Sequence, residues 1–365
     1  MMLTEARVLQ ALEAVKDPDL GSSIVAMGMI KDLKIDGGTL SFTCELTTPA
    51  CPVKEKIESD IRARIAAELP EVHSLTLNMT GKVRGSNIPQ NEDAENVLPQ
   101  IKHVILVGAG KGGVGKSTCA LNLALALRQS GASVALLDCD LYGPSLPIMT
   151  GLKQKPKLHG ESKIMPMNAL GMEIMSMGFL VEQSQAMIWR GPVLEGIIVQ
   201  FLRDVVWSPA DYLVVDLPPG TGDVALSLAR NCTVTGAVLV STPQRVALAD
   251  VVRARTMFKQ TKIAVLGLIE NMAGYSDPES GKRIDIFAGI SGAAAALEMG
   301  VPFLGSIPLD PQISLSGDAG TPIVVSHPES ASAKALCAAA ANLAAQISIQ
   351  SLTRDKTGGD AHSMI

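Results

Sequence analysis

Aromatic side chains are scarce: Phe, Trp and Tyr make up 3% of the 365 residues, while hydrophobic residues reach 47%. A core with so few rings must be filled by small and branched aliphatics, as expected of α/β sheets covered on both faces. No long basic run is present and the formal net charge is −5. Neither a nucleic acid nor an anionic membrane is therefore expected as a partner. No apolar run of about 18 residues stands out, which predicts a soluble, cytoplasmic protein. No signal or transit peptide is read at the start, where Thr4-Glu5-Ala6-Arg7 reads instead as a capped helix. Six cysteines lie scattered at Cys44, Cys51, Cys119, Cys139, Cys232 and Cys337, with no C-x-x-C among them. In a cytosolic setting they are expected to be reduced. The five histidines show no metal-ligand spacing.

Residues 1–82 read as a small α/β domain of order α-β-β-α-β. A helix over Thr4 to Val15 meets a turn at Asp17-Pro18-Asp19. A strand region spans Ser22 to Ile35, and Asp36-Gly37-Gly38 is a hairpin signal. A strand over Leu40 to Leu46 follows. Pro52 is placed in the first turn of a helix reaching Glu68, and Val72 to Met79 forms a third strand. Residues 83–100 read as a polar linker. Over 101–347, strands alternate with helices, the pattern of a doubly wound, mostly parallel sheet, and 348–365 reads as a polar tail.

The most specific signal is Gly110-Lys111-Gly112-Gly113-Val114-Gly115-Lys116-Ser117-Thr118, which fits G-x-x-x-x-G-K-[ST]. Glycines let the backbone curl around a phosphate without Cβ clashes, and the loop N–H groups then face the anion. The following helix adds its positive N-terminal end. Lys116 is placed to reach the β- and γ-phosphates of ATP, and Ser117 to hold Mg²⁺. Lys111 adds a second cation beside the polyphosphate, where it would stabilise the transferring phosphoryl group. The apolar strand Tyr212 to Val215 ends in Asp216, the expected further carboxylate for Mg²⁺. The loop Pro218-Pro219-Gly220-Thr221-Gly222 after it can sense the γ-phosphate.

Lys111, directly after the first glycine, makes this segment closely resemble the deviant phosphate loop of the MinD/ParA-type ATPases. That resemblance implies that Lys111 reaches the partner's nucleotide across a homodimer. It also implies that Asp140, the second aspartate of Asp138-Cys139-Asp140, orients the attacking water. A carboxylate there can equally help hold Mg²⁺. The resemblance further places Asn271 against adenine, with Pro308 and Asp310 nearby.

Over residues 101–345 the chain looks like the Mrp/ApbC family of iron–sulfur cluster carrier ATPases. The segments that carry the likeness are Asp140-Leu141-Tyr142-Gly143-Pro144-Ser145, Asp216 to Asp223, Ile269-Glu270-Asn271-Met272 and residues 285–310. Residues 1–82 resemble the small domain shared with other iron–sulfur assembly factors, through Asp17-Pro18-Asp19, Gly28-Met29-Ile30 and Leu46 to Pro52. The resemblance implies a homodimeric ATPase that carries clusters to apo iron–sulfur proteins or works with cluster-assembly proteins. One departure stands out. Where that family has C-P-x-C, this chain has Asp277-Pro278-Glu279-Ser280. Hard oxygen donors suit Mg²⁺ or Ca²⁺ rather than a sulfide-bridged iron cluster. Cys51, before Pro52 and an expected helix start whose dipole would lower its pKa, is then the best remaining cluster thiol. The rival reading is a MinD/ParA-type switch that positions or regulates a partner and carries no cluster. The residues from Ser348 on lack the strong basic or bulky apolar face such a switch would need for a surface.

Overall fold

The computed structural model describes residues 3–85, 96–140, 143–160, 162–180, 191–220, 222–277, 280 and 282–358. Leu141, Tyr142, Thr221, Pro278, Glu279, His362 and most of the expected linker lie outside them. The chain divides into two compact units, one of residues up to Arg84 together with those from Ala344 onward, the other Gly85–Leu343.

The first unit contains α1 (Glu5–Leu12), β1 (Ile30–Asp36), β2 (Thr39–Leu46), α2 (Lys54–Glu68) and β3 (Ser74–Gly81). The strands lie in the order β1-β2-β3. Gly37 takes φ +56°, which lets the chain reverse and set Asp36 opposite Thr39. β2 and β3 then run parallel, joined by α2. Ile57, Ile61 and Ile65 recur every fourth residue, so α2 buries a single stripe. Each such side chain stabilises the fold by about 1.5–3 kcal/mol. Val8, Leu12, Leu40 and Phe42 complete this core.

Two local expectations fail here. Ser22 to Met29 is not strand. Ser23 folds the chain back, with Met27 N–H donating to its carbonyl at 3.0 Å, and Gly28 turns it at φ +64°. Pro52 is not in the first turn of α2 either. That helix begins at Lys54, with Val53 as an N-cap lacking any side-chain bond.

The second unit opens with β4 (Ile101–Ala109), α3 (Lys116–Gln129), β5 (Val134–Asp138) and α4 (Leu146–Met149). Short strands follow: β6 (Leu158–His159), β7 (Lys163–Ile164), β8 (Met167–Ala169) and β9 (Met172–Ser176). After a 3₁₀ turn at Met177–Phe179 come α5 (Gly191–Arg203), β10 (Ala210–Asp216), α6 (Gly222–Asn231), β11 (Val234–Ser241), α7 (Arg245–Gln260) and β12 (Val265–Glu270). The hairpin β13 (Tyr275–Ser276) and β14 (Arg283–Ile284) precedes α8 (Gly292–Met299), β15 (Phe303–Ser306), α9 (Pro311–Asp318), α10 (Ile323–Ser326) and α11 (Ala331–Gly358), whose residues from Ala344 onward belong to the first unit.

The main sheet has the order β15-β12-β11-β4-β10-β5-β9-β8. Its pairings are parallel except β8 with β9. Every residue of β11 and β5 is buried, the near-continuous apolar run required of strands covered on both faces. Because the strands run parallel, the ends of β4, β5, β10 and β12 all open on one edge, where α/β folds bind ligands.

Part of the expected polar tail is instead helix: α11 continues through residues 348–358, and residues 359–365 lie outside the described residues. No glycine or proline interrupts it before Gly358, and the serines are satisfied inside the helix: Ser348 Oγ donates to Ala344 O at 3.1 Å and Ser351 Oγ to Ile347 O at 2.9 Å. Residues Ala331–Leu352 reach a mean hydropathy of 1.3, long and apolar enough by composition to cross a membrane. Ala333, Leu336, Ala340, Leu343 and Ile347 are nonetheless buried at helical spacing, as on a core helix.

Candidate functional site

The glycine loop leaves the end of β4 and runs into α3. Gly113 and Gly115 both sit at φ +80°. A side-chain residue in that left-handed region costs roughly 1–2 kcal/mol. The glycines divide into two kinds. A Cβ on Gly110 would collide with the Asp250 backbone of α7, and one on Gly115 with the Asn271 amide. Gly112 and Gly113 instead face open space, with nothing within 4 Å. Gly115 is the N-cap of α3 and no side chain caps that helix. Its first-turn N–H groups are left for an anion at the loop.

Lys116 and Asp216 form an ion pair, at 7% and 0% side-chain exposure. Lys116 Nζ also reaches Ser117 Oγ at 3.2 Å. Burial pushes the Asp216 carboxyl above its ordinary value, and Lys116 opposes that shift. Asp216 Oδ2 is buried without a partner. An orphaned carboxylate oxygen beside a serine hydroxyl is a hard-donor pair that fits Mg²⁺. On the next strand Asp138 lies opposite Asp216. Its carboxyl is also raised, first by burial and then by the Asp216 charge.

Asp140 sits just past β5. Its N–H donates to Asp138 Oδ1 at 2.9 Å, and its Oδ1 accepts from Gly143 N–H at 3.2 Å. Lys111 Nζ donates to Gln244 Oε1 at 3.2 Å. Sequence reasoning missed Gln244, which has no motif around it and arrives as the N-cap of α7. Asn271 turns its amide to the loop, donating to Val114 O at 2.8 Å. Pro308 lies in the strand-like run beside it, where Leu309 N–H donates to Gly274 O at 2.8 Å. Asp310 caps α9 through Gln312 N–H at 2.8 Å and accepts from Ser332 Oγ at 2.7 Å, so both oxygens are held by the protein.

The cysteines tell a different story. All six are free. Cys51 does not have the lowered pKa expected of a helix start: burial pushes its thiol up to about 11, against an opposing backbone bond from Val53. It sits against the core cluster of its unit, three residues before α2 begins. At the β13–β14 hairpin, Asp277 Oδ1 accepts from Ser280 N–H at 2.7 Å and from Ser280 Oγ at 2.8 Å. Among the described residues no three His, Cys, Asp or Glu side chains gather as a metal site.

A parallel sheet whose first strand ends in this loop, with a buried Lys116–Asp216 pair at its edge, defines a P-loop NTPase of the MinD/ParA type. Residues 100–344 match the family described as NUBPL iron-transfer P-loop NTPase, and the chain belongs to that family. Residues 5–77 match the iron-sulfur cluster assembly protein family. The iron-sulfur cluster carrier protein of Deinococcus radiodurans is 45% identical over 95% of this chain and 96% of its own. That of Synechocystis is 44% identical over 96% of this chain and 100% of its own. Among solved structures, an Archaeoglobus fulgidus nucleotide-binding protein in complex with ADP is 39% identical, with a TM-score of 0.54, and the match covers 61% of this chain and 88% of that one. The Pyrococcus furiosus cell division ATPase MinD is 28% identical with a TM-score of 0.52, covering 66% and 98%.

Proposed function

We propose that this chain is a Mg²⁺-dependent ATPase that delivers iron–sulfur clusters to apoproteins, working as a cytoplasmic homodimer. The observation that carries the ATPase reading is the buried Lys116–Asp216 pair with its orphaned oxygen, beside a glycine cradle open at Gly112 and Gly113. The cluster reading rests on family membership and on the names of the relatives. On ATP binding, Lys116 turns from Asp216 to the β- and γ-phosphate oxygens, while loop N–H groups of residues 110–118 hold the remaining charge. Ser117 and Asp216 would hold Mg²⁺, which supplies charge neutralisation on those oxygens. Asp140 orients the attacking water. Lys111 leaves Gln244 and reaches the partner's nucleotide, adding positive charge where negative charge builds. Asn271 and the backbone around Pro308 border the base; Asp310 contributes by fixing α9.

Nucleotide-driven closing and opening of the dimer is the device that such a site offers for handling a cargo. Oxygen ligands at Asp277 and Ser280 do not suit a cluster, so contact with the cargo falls to Cys51. Its raised thiol is no bar, because iron binding drives off the thiol proton. Partners are then apo iron–sulfur proteins or cluster-assembly proteins. The test is anaerobic reconstitution with iron and sulfide, followed by transfer to an apo iron–sulfur protein with and without ATP. Bound iron that moves to the acceptor supports the proposal. A nucleotide-switched dimer that never retains iron and never accelerates maturation supports the partner-switch reading instead.

A further inference from the structure

Three strand ends stand on one rung of the sheet. Asp138 of β5 is in register with Asp216 of β10 on one side and with Ser176 of β9 on the other. Ser176 is 0% exposed. Its hydroxyl donates to Asp138 Oδ2 at 2.9 Å and accepts from Gly178 N–H at 3.0 Å. Asp138 uses its other oxygen to hold Asp140 N–H at 2.9 Å. A continuous chain of hydrogen bonds thus runs from the turn after β9 to the backbone of Asp140. The same turn grips the far flank of that loop. A Cβ on Gly178 would stand 2.7 Å from Pro147 Cγ and 3.0 Å from Pro144 Cβ, so the turn at Met177–Phe179 lies directly on those two prolines.

We propose that Ser176, with Gly178, is a positioning residue for ATP hydrolysis: the turn after β9 clamps the Asp140 loop at both flanks and sets where its carboxylate stands. The proposal rests on the hydrolytic reading of Asp140 given above. The physical argument has three parts. Asp138 is buried, so each donor on it limits where its carboxyl can point. Two fixed donors, Ser176 Oγ–H and Asp140 N–H, hold its two oxygens apart and leave the carboxylate one orientation. A water-positioning group displaced by a fraction of an ångström loses rate without losing ground-state binding.

The test is a double-mutant cycle on the full chain, reading kcat, KM for ATP and affinity for a fluorescent ADP analogue. Ser176→Ala should lower kcat by roughly tenfold while KM and ADP affinity stay within about twofold. Adding it to Asp140→Ala should cause no further loss, since Ser176 acts through Asp140. Ser176→Thr, which keeps the hydroxyl, should restore most of the rate. Gly178→Ala, which pushes on the prolines, should repeat the kcat effect and carries the test if Ser176→Ala does not fold. A slow Asp140→Ala beside a Ser176→Ala of normal rate overturns the clamp alone, as do losses that add in the double variant. An Asp140→Ala of wild-type rate overturns the hydrolytic reading and the clamp with it.

Discussion

The glycine loop and the β13–β14 hairpin are both short polar loops at the edge of the same unit, yet they dispose of their polar groups in opposite ways. At the loop, Asp216 Oδ2 is buried without a partner, α3 has no side-chain cap and a Cβ on Gly112 or Gly113 would meet no protein atom within 4 Å. In the hairpin, Asp277 accepts two bonds from Ser280. An unsatisfied buried polar group costs about 1–3 kcal/mol, and a fold keeps it where a ligand supplies the missing partner. The difference teaches where to look for a ligand: the loop keeps polar groups without protein partners, whereas Asp277 and Ser280 of the hairpin bond to each other.

The sharpest way to break this comparison is Lys116→Ala. ATP turnover should fall by at least about 10³-fold, measured as phosphate release. The variant should also lose roughly 3 kcal/mol of stability, because Asp216 is left buried and unpaired. Adding Asp216→Asn should recover stability in denaturant melts and leave turnover absent. Wild-type turnover in Lys116→Ala would remove the loop from the chemistry.

Next in size is Lys111→Ala. Turnover should fall by roughly 10²-fold while ADP affinity changes little, since the work proposed for this lysine is on a partner's nucleotide. Sedimentation with a non-hydrolysable ATP should show less dimer than wild type. A fully active monomeric wild type contradicts that expectation.

The hairpin can be opened by the paired change Asp277→Cys with Ser280→Cys. Reconstituted anaerobically, the variant should hold more iron and sulfide per chain than wild type, and Cys51→Ala should lower the residual iron of the wild type. Equal iron in all three proteins would separate cargo binding from both places. A smaller effect concerns Cys51 itself. With its thiol pushed up to about 11 from 9.0, alkylation near neutral pH should be slower than for a free thiol and rise steeply only toward that pH. The sign for stability follows. The folded state holds this proton more tightly, so its contribution is whole below pH 9.0 and is lost as pH rises through about 11. Smallest of all, Asp277→Ala should shift unfolding by less than about 1 kcal/mol and leave turnover unchanged.

Sequence alone exposes the loop because its chemistry is contiguous: glycines, Lys116 and Ser117 stand within nine residues and between a strand and a helix. Asp216 is legible for the same reason, as a charge that ends an apolar strand. Ser176 and Gln244 are not. Ser176 meets Asp138 only through strand register, 38 residues away in the chain, and Gln244 meets Lys111 from 133 residues away. The lowered pKa expected of Cys51 fails because the dipole argument needs a helix starting at Pro52, whereas the helix starts at Lys54 and the thiol packs against a core. Residues 348–358 misled through their polar composition, which says nothing of serines that bond back into their own helix.

The Lys116–Asp216 pair has one more consequence, in the thermodynamics of loading. Without ligand the two charges neutralise each other. A nucleotide that takes the lysine would strip the buried aspartate of its counter-charge. A nucleotide arriving alone would bear that penalty, and a divalent cation arriving alone would meet a carboxylate whose charge Lys116 already offsets. Arriving together, each removes the other's cost. The two should therefore bind with positive linkage: Mg²⁺ tightens ATP by the same factor by which ATP tightens Mg²⁺.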